Sequence, residues 1–394
     1  MVAIKKPLGI GLIGPGSIGR VHLFCYDALP YFYSPSPQVE VLGVAAASKE
    51  SCKRAQALCR APYSTCDYRE LVAHSELDLI DCCAPNFLHY PIIRAALLAG
   101  KHVYTEKPLA MNEEEAKELV ALAAERGLRG QLAFQYRFVP AVLRAKELIE
   151  QGALGRVIHF RAQYLHSGYL DPSRPLSWRL EKAKSGGGAL FDLGSHLIDL
   201  VRFLLGDYEA VFASLPTYIK QRPQGDGQLG QVDVDDVALL MVKLKLGAEG
   251  IIEASRLATG SEDELRFEIY GTDGALKFNL MEPNWLWFHE GSGGEEPLGG
   301  NSGFKKIATC SRYPEPSVFP SPKAPIGWLR FHLASQFDFL QSLWDDTYQS
   351  QGASFLDGLH VQEVLAAAQL AHMQGCWIEI GENKKDASYK KHLY

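Results

Sequence analysis

The sequence predicts an α/β domain built on a doubly wound parallel sheet, followed by an α+β domain with a large open, mainly antiparallel sheet. Three observations carry that expectation. Apolar strand-like runs alternate with helical stretches through about residue 135. A glycine-rich turn joins the first strand to the first helix. Beyond residue 140 the strands come grouped, with few helices between them. The expected division is a first domain over residues 1–135 and a second over 136–394, with the last two helices free to pack back on the first.

Leu8–Gly14 is apolar throughout, as a strand buried on both faces must be. A helix follows from Ser17 to Leu29. Pro30–Pro37 holds three prolines and three aromatics and reads as a surface insertion. Val39–Ala46 is the second strand and Lys49–Cys59 the next helix. Leu77–Cys83 is a strand with Asp78 and Asp81 at its polar positions. Tyr90–Ala99 is a helix closed by Gly100, and His102–Thr105 a short strand. Asn112 offers an N-cap, with Glu113, Glu114 and Glu115 in the first turn, where the helix dipole favours acids. Gly130–Phe134 closes the series.

The second half opens with a helix over Pro140–Gln151 and an alternating strand over Val157–Tyr164. Val237–Leu246 turns at Gly247–Gly250 into Ile251–Leu257. Leu265–Tyr270 turns at Gly271-Thr272-Asp273-Gly274 into Ala275–Leu280. Trp285–His289 adds a strand. Gly291–Pro325 is rich in Gly, Pro and Ser and reads as a long surface loop. Helices over Leu329–Trp344 and Asp357–Met373 finish the fold, and the charged tail Lys384–Tyr394 is expected to be loosely held.

The bulk composition narrows the function. A formal net charge of -6 over 394 residues supplies no basic field for nucleic acid or anionic membranes. No run of 18 apolar residues suggests a membrane span. Leu8–Gly14 is too short and too glycine-rich for the apolar core of a secretory leader. The eight cysteines contain no C-x-x-C pair, which fits a reduced, cytoplasmic protein with free thiols. His and Cys form no closed zinc pattern, so no metal is expected.

Gly14-Pro15-Gly16-Ser17-Ile18-Gly19 is a complete G-x-G-x-x-G between an apolar strand and a helix, the context that makes it a dinucleotide fingerprint. Gly14 makes the tight turn, Gly16 lets backbone approach the pyrophosphate, and the helix start at Ser17 and Ile18 receives the phosphates. NAD sites usually place an acid at the end of the second strand. Here Ala46-Ala47-Ser48-Lys49 stands instead, with Lys53 and Arg54 a turn later. A hydroxyl at Ser48 and a cation at Lys49 suit a 2′-phosphate, so the expectation leans to NADP over NAD.

Gly186-Gly187-Gly188 runs into a segment carrying Asp192, His196 and Asp199 at i, i+4, i+7. On a helix these share one face. A glycine run there would open the backbone N–H groups to a ligand, and an imidazole beside a carboxylate can exchange protons near neutral pH. The alternative is a glycine turn before an ordinary amphipathic helix, with Asp199 structural.

These segments together resemble the Gfo/Idh/MocA family: glucose–fructose oxidoreductase, inositol dehydrogenase and relatives. The likeness spans about residues 8–375. It rests on Gly14–Gly19 with His22 behind it, Ala84-Pro85-Asn86 followed by His89, Ala99–Ala110 with its Glu106-Lys107-Pro108, and Gly186–Asp199. The resemblance implies a Rossmann domain followed by an α/β domain whose open sheet often serves oligomerisation. It implies Lys107 as the catalytic lysine, with Asp192 and His196 as acid and imidazole. Pro85, Asn86 and His89 would line the nicotinamide side, and Glu106 would sit beside the lysine. Gln135, Tyr136 and Arg137 resemble the segment entering the substrate cleft. Tyr169, Arg174, Trp178 and Arg179 resemble the substrate-side loop of inositol- and levoglucosan-type members.

Oxidising a secondary alcohol needs a base, a hydride acceptor and a cation that favours the alkoxide. His196 can be the base with Asp192 orienting it, and Lys107 can hold the substrate oxygen. The expectation is an NAD(P)-dependent dehydrogenase acting on a ring hydroxyl of a sugar or cyclic polyol. A sugar oxidoreductase with a tightly held cofactor is the alternative enzyme, and a non-catalytic dinucleotide-binding regulator the alternative of another class. An open sheet face needs covering, so a homodimer or homotetramer is expected.

Overall fold

A computed structural model describes residues 6–225, 227–291, 299, 300 and 302–381. The charged tail and the first part of the expected loop after Gly291 fall outside the described residues. The first layer comprises β1 (Leu8–Ile13), α1 (Ser17–Phe32), β2 (Val39–Ala45), α2 (Lys49–Cys59), β3 (Tyr63–Thr65), α3 (Tyr68–Val72), β4 (Leu79–Cys82), α4 (His89–Leu98), β5 (His102–Thr105), α5 (Glu113–Arg126) and β6 (Gly130–Leu132). Its strands run in the order β6-β5-β4-β1-β2-β3, all parallel. Chain direction across the sheet reverses at β1, so a crevice opens at the carboxyl ends of β1 and β4.

The second layer follows with α6 (Pro140–Glu150), β7 (Val157–Leu165), α7 (Lys182–Ser185), α8 (Ser195–Leu205), β8 (Tyr208–Ser214), β9 (Gln221–Pro223), β10 (Leu229–Gln231), β11 (Val237–Leu244), β12 (Glu249–Ser255), β13 (Glu264–Gly271), β14 (Gly274–Asn279), β15 (Trp285–Glu290) and β16 (Lys305–Ala308). The chain ends with α9 (Trp328–Trp344), β17 (Ala353–Ser354), α10 (Phe355–Gln374) and β18 (Ile378–Glu379). Nine strands form one sheet in the order β16-β15-β14-β13-β7-β12-β11-β8-β18. Every pairing is antiparallel except β7 with β12, where Glu249 opposes His159. β17 adds an antiparallel edge to the first sheet, beside β6.

Several elements depart from the sequence expectation. β16 lies inside the expected loop, and β3, α3, β8, β9 and β10 are too short or too irregular to stand out by periodicity. α1 continues through Pro30 to Phe32. The expected surface insertion after it is partly core. Tyr33 is buried, its ring stacked on Phe337 of α9 at 3.6 Å, and its hydroxyl accepts a 2.7 Å hydrogen bond from Arg330. A proline–aromatic run looks like a loop locally; here its ring is claimed by a helix some 300 residues away.

One contiguous core joins the layers. Phe160 of β7, Leu240 of β11 and Ile252 of β12 pack with Ile198 of α8 and Leu365 of α10, and the same cluster reaches Val103 and Leu119 of the first layer. α9 packs on α1 through Cys25, Leu29, Leu333 and Phe337, and the Tyr104 hydroxyl meets the Ser335 hydroxyl at 2.8 Å. Tyr33→Ala removes a buried stacked ring and should cost about 3 kcal/mol of unfolding free energy, read from a denaturant melt.

Candidate active site

The glycine turn shows which residues its geometry demands. Gly14 has φ +89°, and a side chain there would begin 2.6 Å from the Cys83 carbonyl. A Cβ at Gly19 would lie 2.5 Å from the Gly14 oxygen, whereas one at Gly16 would meet nothing within 4 Å. Gly14 and Gly19 thus permit backbone packing, and Gly16 leaves space in front of the helix start. That space belongs to a cavity of about 670 Å³. Gly14, Gly16, Ser17 and Ile18 line its middle. Ala46, Ala47, Ser51, Cys66 and Tyr68, near the ends of β2 and β3, line one end. Pro85, Asn86, Glu106, Lys107, Gln135, Tyr136, Trp178, Asp192 and His196 line the other. A room-making glycine turn at the switch point of a parallel sheet, with open space toward both ends, fits a dinucleotide.

Six of the expected site residues lie outside the cavity wall: Ser48, Lys49, His89, Arg137, Tyr169 and Arg174. Ser48 caps α2, accepting a 3.2 Å bond from the Ser51 amide. Lys49 is exposed in the first turn of α2, and Arg54 is paired on the surface with Glu50. The cations expected for a 2′-phosphate are therefore not gathered around the cavity. His89 is buried, its two ring nitrogens 2.7 Å from the Pro108 carbonyl and 2.9 Å from that of Ala84. It ties the Lys107-Pro108 turn to the end of β4. Arg137 is buried in a bidentate pair with Asp199, at 2.8 and 2.5 Å, and Asp357 is 3.5 Å away. Tyr169 is buried with Arg174 and Arg256 over its ring, at 4.0 and 4.8 Å.

The segment after the glycine run also differs from its expected form. Its N–H groups are not open to a ligand. Asp235 takes them: its carboxylate accepts from Gly188 at 2.8 Å and Leu190 at 2.7 Å, and its carbonyl accepts from Ala189 at 2.9 Å. A Cβ at Gly188 would fall 1.7 Å from the Asp235 oxygen, so this glycine serves close packing. Leu190–Gly194 is a π turn leading into α8, not regular α-helix. Asp199 points to Arg137, away from the cavity.

Asp192 does not orient His196. One carboxylate oxygen accepts from Lys107 Nζ at 3.0 Å, and the other accepts from Arg256 at 3.0 Å. Lys107 Nζ also donates to the Asp192 carbonyl at 2.6 Å. Burial alone would raise the Asp192 carboxyl, but Lys107 and Arg256 hold it well below the usual range. His196 sits among rings, 5.0 Å from Tyr136 and 5.6 Å from Phe134, and its Nδ1 has no hydrogen-bond partner among the described residues. Burial, then the nearby Lys107 charge, push its imidazole well below its ordinary pKa. Both causes favour the neutral imidazole.

Behind Lys107 lies a second charge network. His22 Nδ1 is 3.0 Å from both Asp81 oxygens, and its Nε2 is 3.4 Å from Glu106. Tyr26 donates to Asp81 at 2.8 Å. Asp81, expected at an ordinary polar strand position, is thus fully buried. Burial opposes charge on His22, yet Asp81 and Glu106 raise it to about 10. Burial likewise opposes ionisation of Glu106, yet His22 and then Lys107 bring it down to about 2. The donors His22, Glu106 and His332, or His22, Asp81 and Cys83, stand close enough to share an ion. Without an ion, a cationic His22 meets Asp81 through hydrogen bonds and Glu106 by charge.

Expected and unforeseen residues together complete the cavity. Tyr136 and Tyr164 join their hydroxyls at 2.8 Å, and Tyr164 donates to Asp263 at 2.6 Å. Arg179, expected from the substrate-side loop, lines the wall, and so do Arg256, Trp328 and His332. No local motif marks Tyr164, Arg256, Asp263, Trp328 or His332. Arg256 follows β12, Asp263 precedes β13, and sheet pairing brings both to the cavity.

Residues 8–134 match the oxidoreductase family with an NAD-binding Rossmann fold, and residues 142–277 match the GFO/IDH/MocA C-terminal domain. The chain belongs to the Gfo/Idh/MocA family of oxidoreductases. Levoglucosan dehydrogenase of Pseudarthrobacter phenanthrenivorans is 35% identical over 388 residues, 95% of this chain and 98% of that one. A levoglucosan dehydrogenase structure in complex with NADH and levoglucosan superposes with TM-score 0.89 at 34% identity, covering 96% of this chain and all of that one. An oxidoreductase domain protein from Kribbella flavida gives TM-score 0.89 at 36% identity, with 96% and 100% covered. The chain is therefore a dehydrogenase of this family, with a Rossmann layer of the NAD-binding type.

Two outcomes test this geometry. Lys107→Ala should lower kcat by about 100-fold or more while dinucleotide affinity stays within a few-fold, measured by steady-state kinetics and calorimetry. A near-normal kcat would remove Lys107 from the chemistry. His22 carries a raised folded pKa near 10, so its contribution to stability is full below about pH 6.5 and fades as pH rises toward about 10. Across that window the melting temperature of the natural protein should fall relative to His22→Gln; parallel curves would mean that His22 is neutral in the fold.

Proposed function

We propose that this chain oxidises a ring secondary alcohol of a sugar or cyclic polyol, with anhydrosugars and inositols the first classes to try, and uses NAD. The observation that carries this reading is the convergence of Lys107, Asp192 and a neutral His196 at one end of the dinucleotide cavity. Gly14, Gly16, Ser17 and Ile18 would hold the pyrophosphate, and Pro85, Asn86, Glu106 and Gln135 would border the nicotinamide. When bound, the nicotinamide supplies the hydride acceptor.

The residues divide the remaining work. Lys107 donates a hydrogen bond to the substrate oxygen and stabilises developing alkoxide charge. Asp192 positions Lys107, with Arg256 anchoring its other oxygen. His196 takes the hydroxyl proton. Tyr136, Tyr164 and Asp263 form a hydrogen-bonded row suited to sugar hydroxyls, with Trp178 offering an apolar face. Arg137 and Tyr169 act from outside: Arg137 secures α8 through Asp199, and Tyr169 supports Arg256.

The cofactor reading is NAD, because Ser48 is spent on capping α2 and neither it nor Lys49 lines the cavity. Structures of the relative were determined with NADH. The chain is also expected to self-associate. Leu239, Met241 and Ile251 are all about half exposed, on one face of β11 and β12. No described helix is long and apolar enough to cross a membrane.

A screen of reduced-nicotinamide formation with NAD and NADP against anhydrosugars, inositols, aldoses and sugar acids tests the proposal. Turnover should appear with a ring polyol, and kcat/KM with NAD should exceed that with NADP by about 10-fold or more. Tight dinucleotide binding without turnover on the whole panel would favour a regulator instead, and an NADP preference would overturn the cofactor reading.

A further inference from the structure

At the far end of the cavity one wall thiol, backed by a second, takes no part in the dehydrogenase chemistry. Cys52, on α2, is buried; Cys66, just after β3, is exposed and lines the cavity. Their sulfur atoms are 3.6 Å apart. The Cys52 thiol also donates to the Thr65 carbonyl at 2.9 Å, which keeps its sulfur beside the Cys66 backbone. Ala46, Ala47, Ser51 and Tyr68 form the wall around them. In a Rossmann layer the end of the second strand receives the adenosine ribose. A bound dinucleotide would therefore cover Cys66, and an empty cavity leaves it open to small oxidants.

We propose that Cys52 and Cys66 are a reversible disulfide-forming pair, closed by a peroxide when the cavity is empty and shielded by bound dinucleotide. Cys66, the accessible thiol, attacks the peroxide; its sulfur is oxidised to a sulfenic acid and one water leaves. Cys52 then attacks that sulfur. The S–S bond forms, the S–O bond breaks, and the hydroxyl departs with the Cys52 proton as a second water. Two thiols together lose two electrons, and the peroxide gains them. A dithiol reductant reverses the change.

The shielding half rests on the dinucleotide site described above; the closure half rests only on the sulfur geometry. The test treats reduced full-length protein with hydrogen peroxide, with and without saturating NAD, and quenches with an alkylating agent. Mass spectrometry should show a loss of about 2 Da and one Cys52–Cys66 cross-linked peptide, erased by dithiothreitol. Cys52→Ser and Cys66→Ser should each abolish that species, with circular dichroism confirming their fold. NAD should slow closure by about 10-fold or more. The pairing is overturned if both thiols stay alkylatable, or if Cys66 stops at a sulfenic acid that dimedone keeps trapping. It is equally overturned if the 2 Da loss survives in Cys66→Ser. An unchanged rate with NAD overturns the shielding, and a calorimetric NAD titration of the reduced protein tells that result from a failure to bind cofactor.

Discussion

The Asp192 carboxylate ties the two layers together at the point where chemistry is expected. One oxygen holds Lys107, which follows β5 of the first sheet; the other holds Arg256, which follows β12 of the second. Two cations on one carboxylate would repel each other without it, and a buried carboxylate without them would be driven to protonate. Each element of the group is therefore conditional on the others. The π turn is what aims Asp192 at both cations, and Asp235 holds the start of that turn by taking its free N–H groups.

Charge is graded across the site by the same means. Asp81 and Glu106 make His22 a cation; Lys107, a short distance away, helps make His196 neutral. Two imidazoles of one chain are held in opposite protonation states because carboxylates surround one, while rings and a lysine surround the other. The cationic histidine steadies Glu106 and the turn that carries Lys107. The neutral one keeps a lone pair for a proton. Separating the two by partner, not by residue type, lets one pH serve both.

Much of this was legible in local sequence. The strand–glycine–helix order around Gly14–Gly19 announces the dinucleotide cleft, because only glycine tolerates φ +89° against the Cys83 carbonyl. Asn112 caps α5 as its residue type predicts, its side chain accepting from Glu115 at 2.9 Å. The spacing of Asp192 and His196 suggested a pair, and here local reasoning misled. A regular helix would set them on one face, but the π turn and the pull of Lys107 and Arg256 gave Asp192 different partners. Arg137 and Tyr169 looked like residues meeting substrate, and both proved to be supports buried behind those that line the cavity. Ser48 and Lys49 looked like a phosphate site, yet a helix cap had the stronger use for the hydroxyl.

By itself the sequence determined the layer types, the turn that leaves room for a pyrophosphate, and the residue types able to move a proton and a hydride. Those features depend on neighbours within a few positions, through strand alternation, glycine conformation and helix capping. The tertiary structure alone decided which carboxylate meets which cation, which histidine is charged, and that Arg256, Tyr164 and Asp263 join the site. Those outcomes depend on side chains 60 to 100 positions apart meeting in a place that excludes water. There a single partner within 3 Å outweighs any preference a residue carries along the chain.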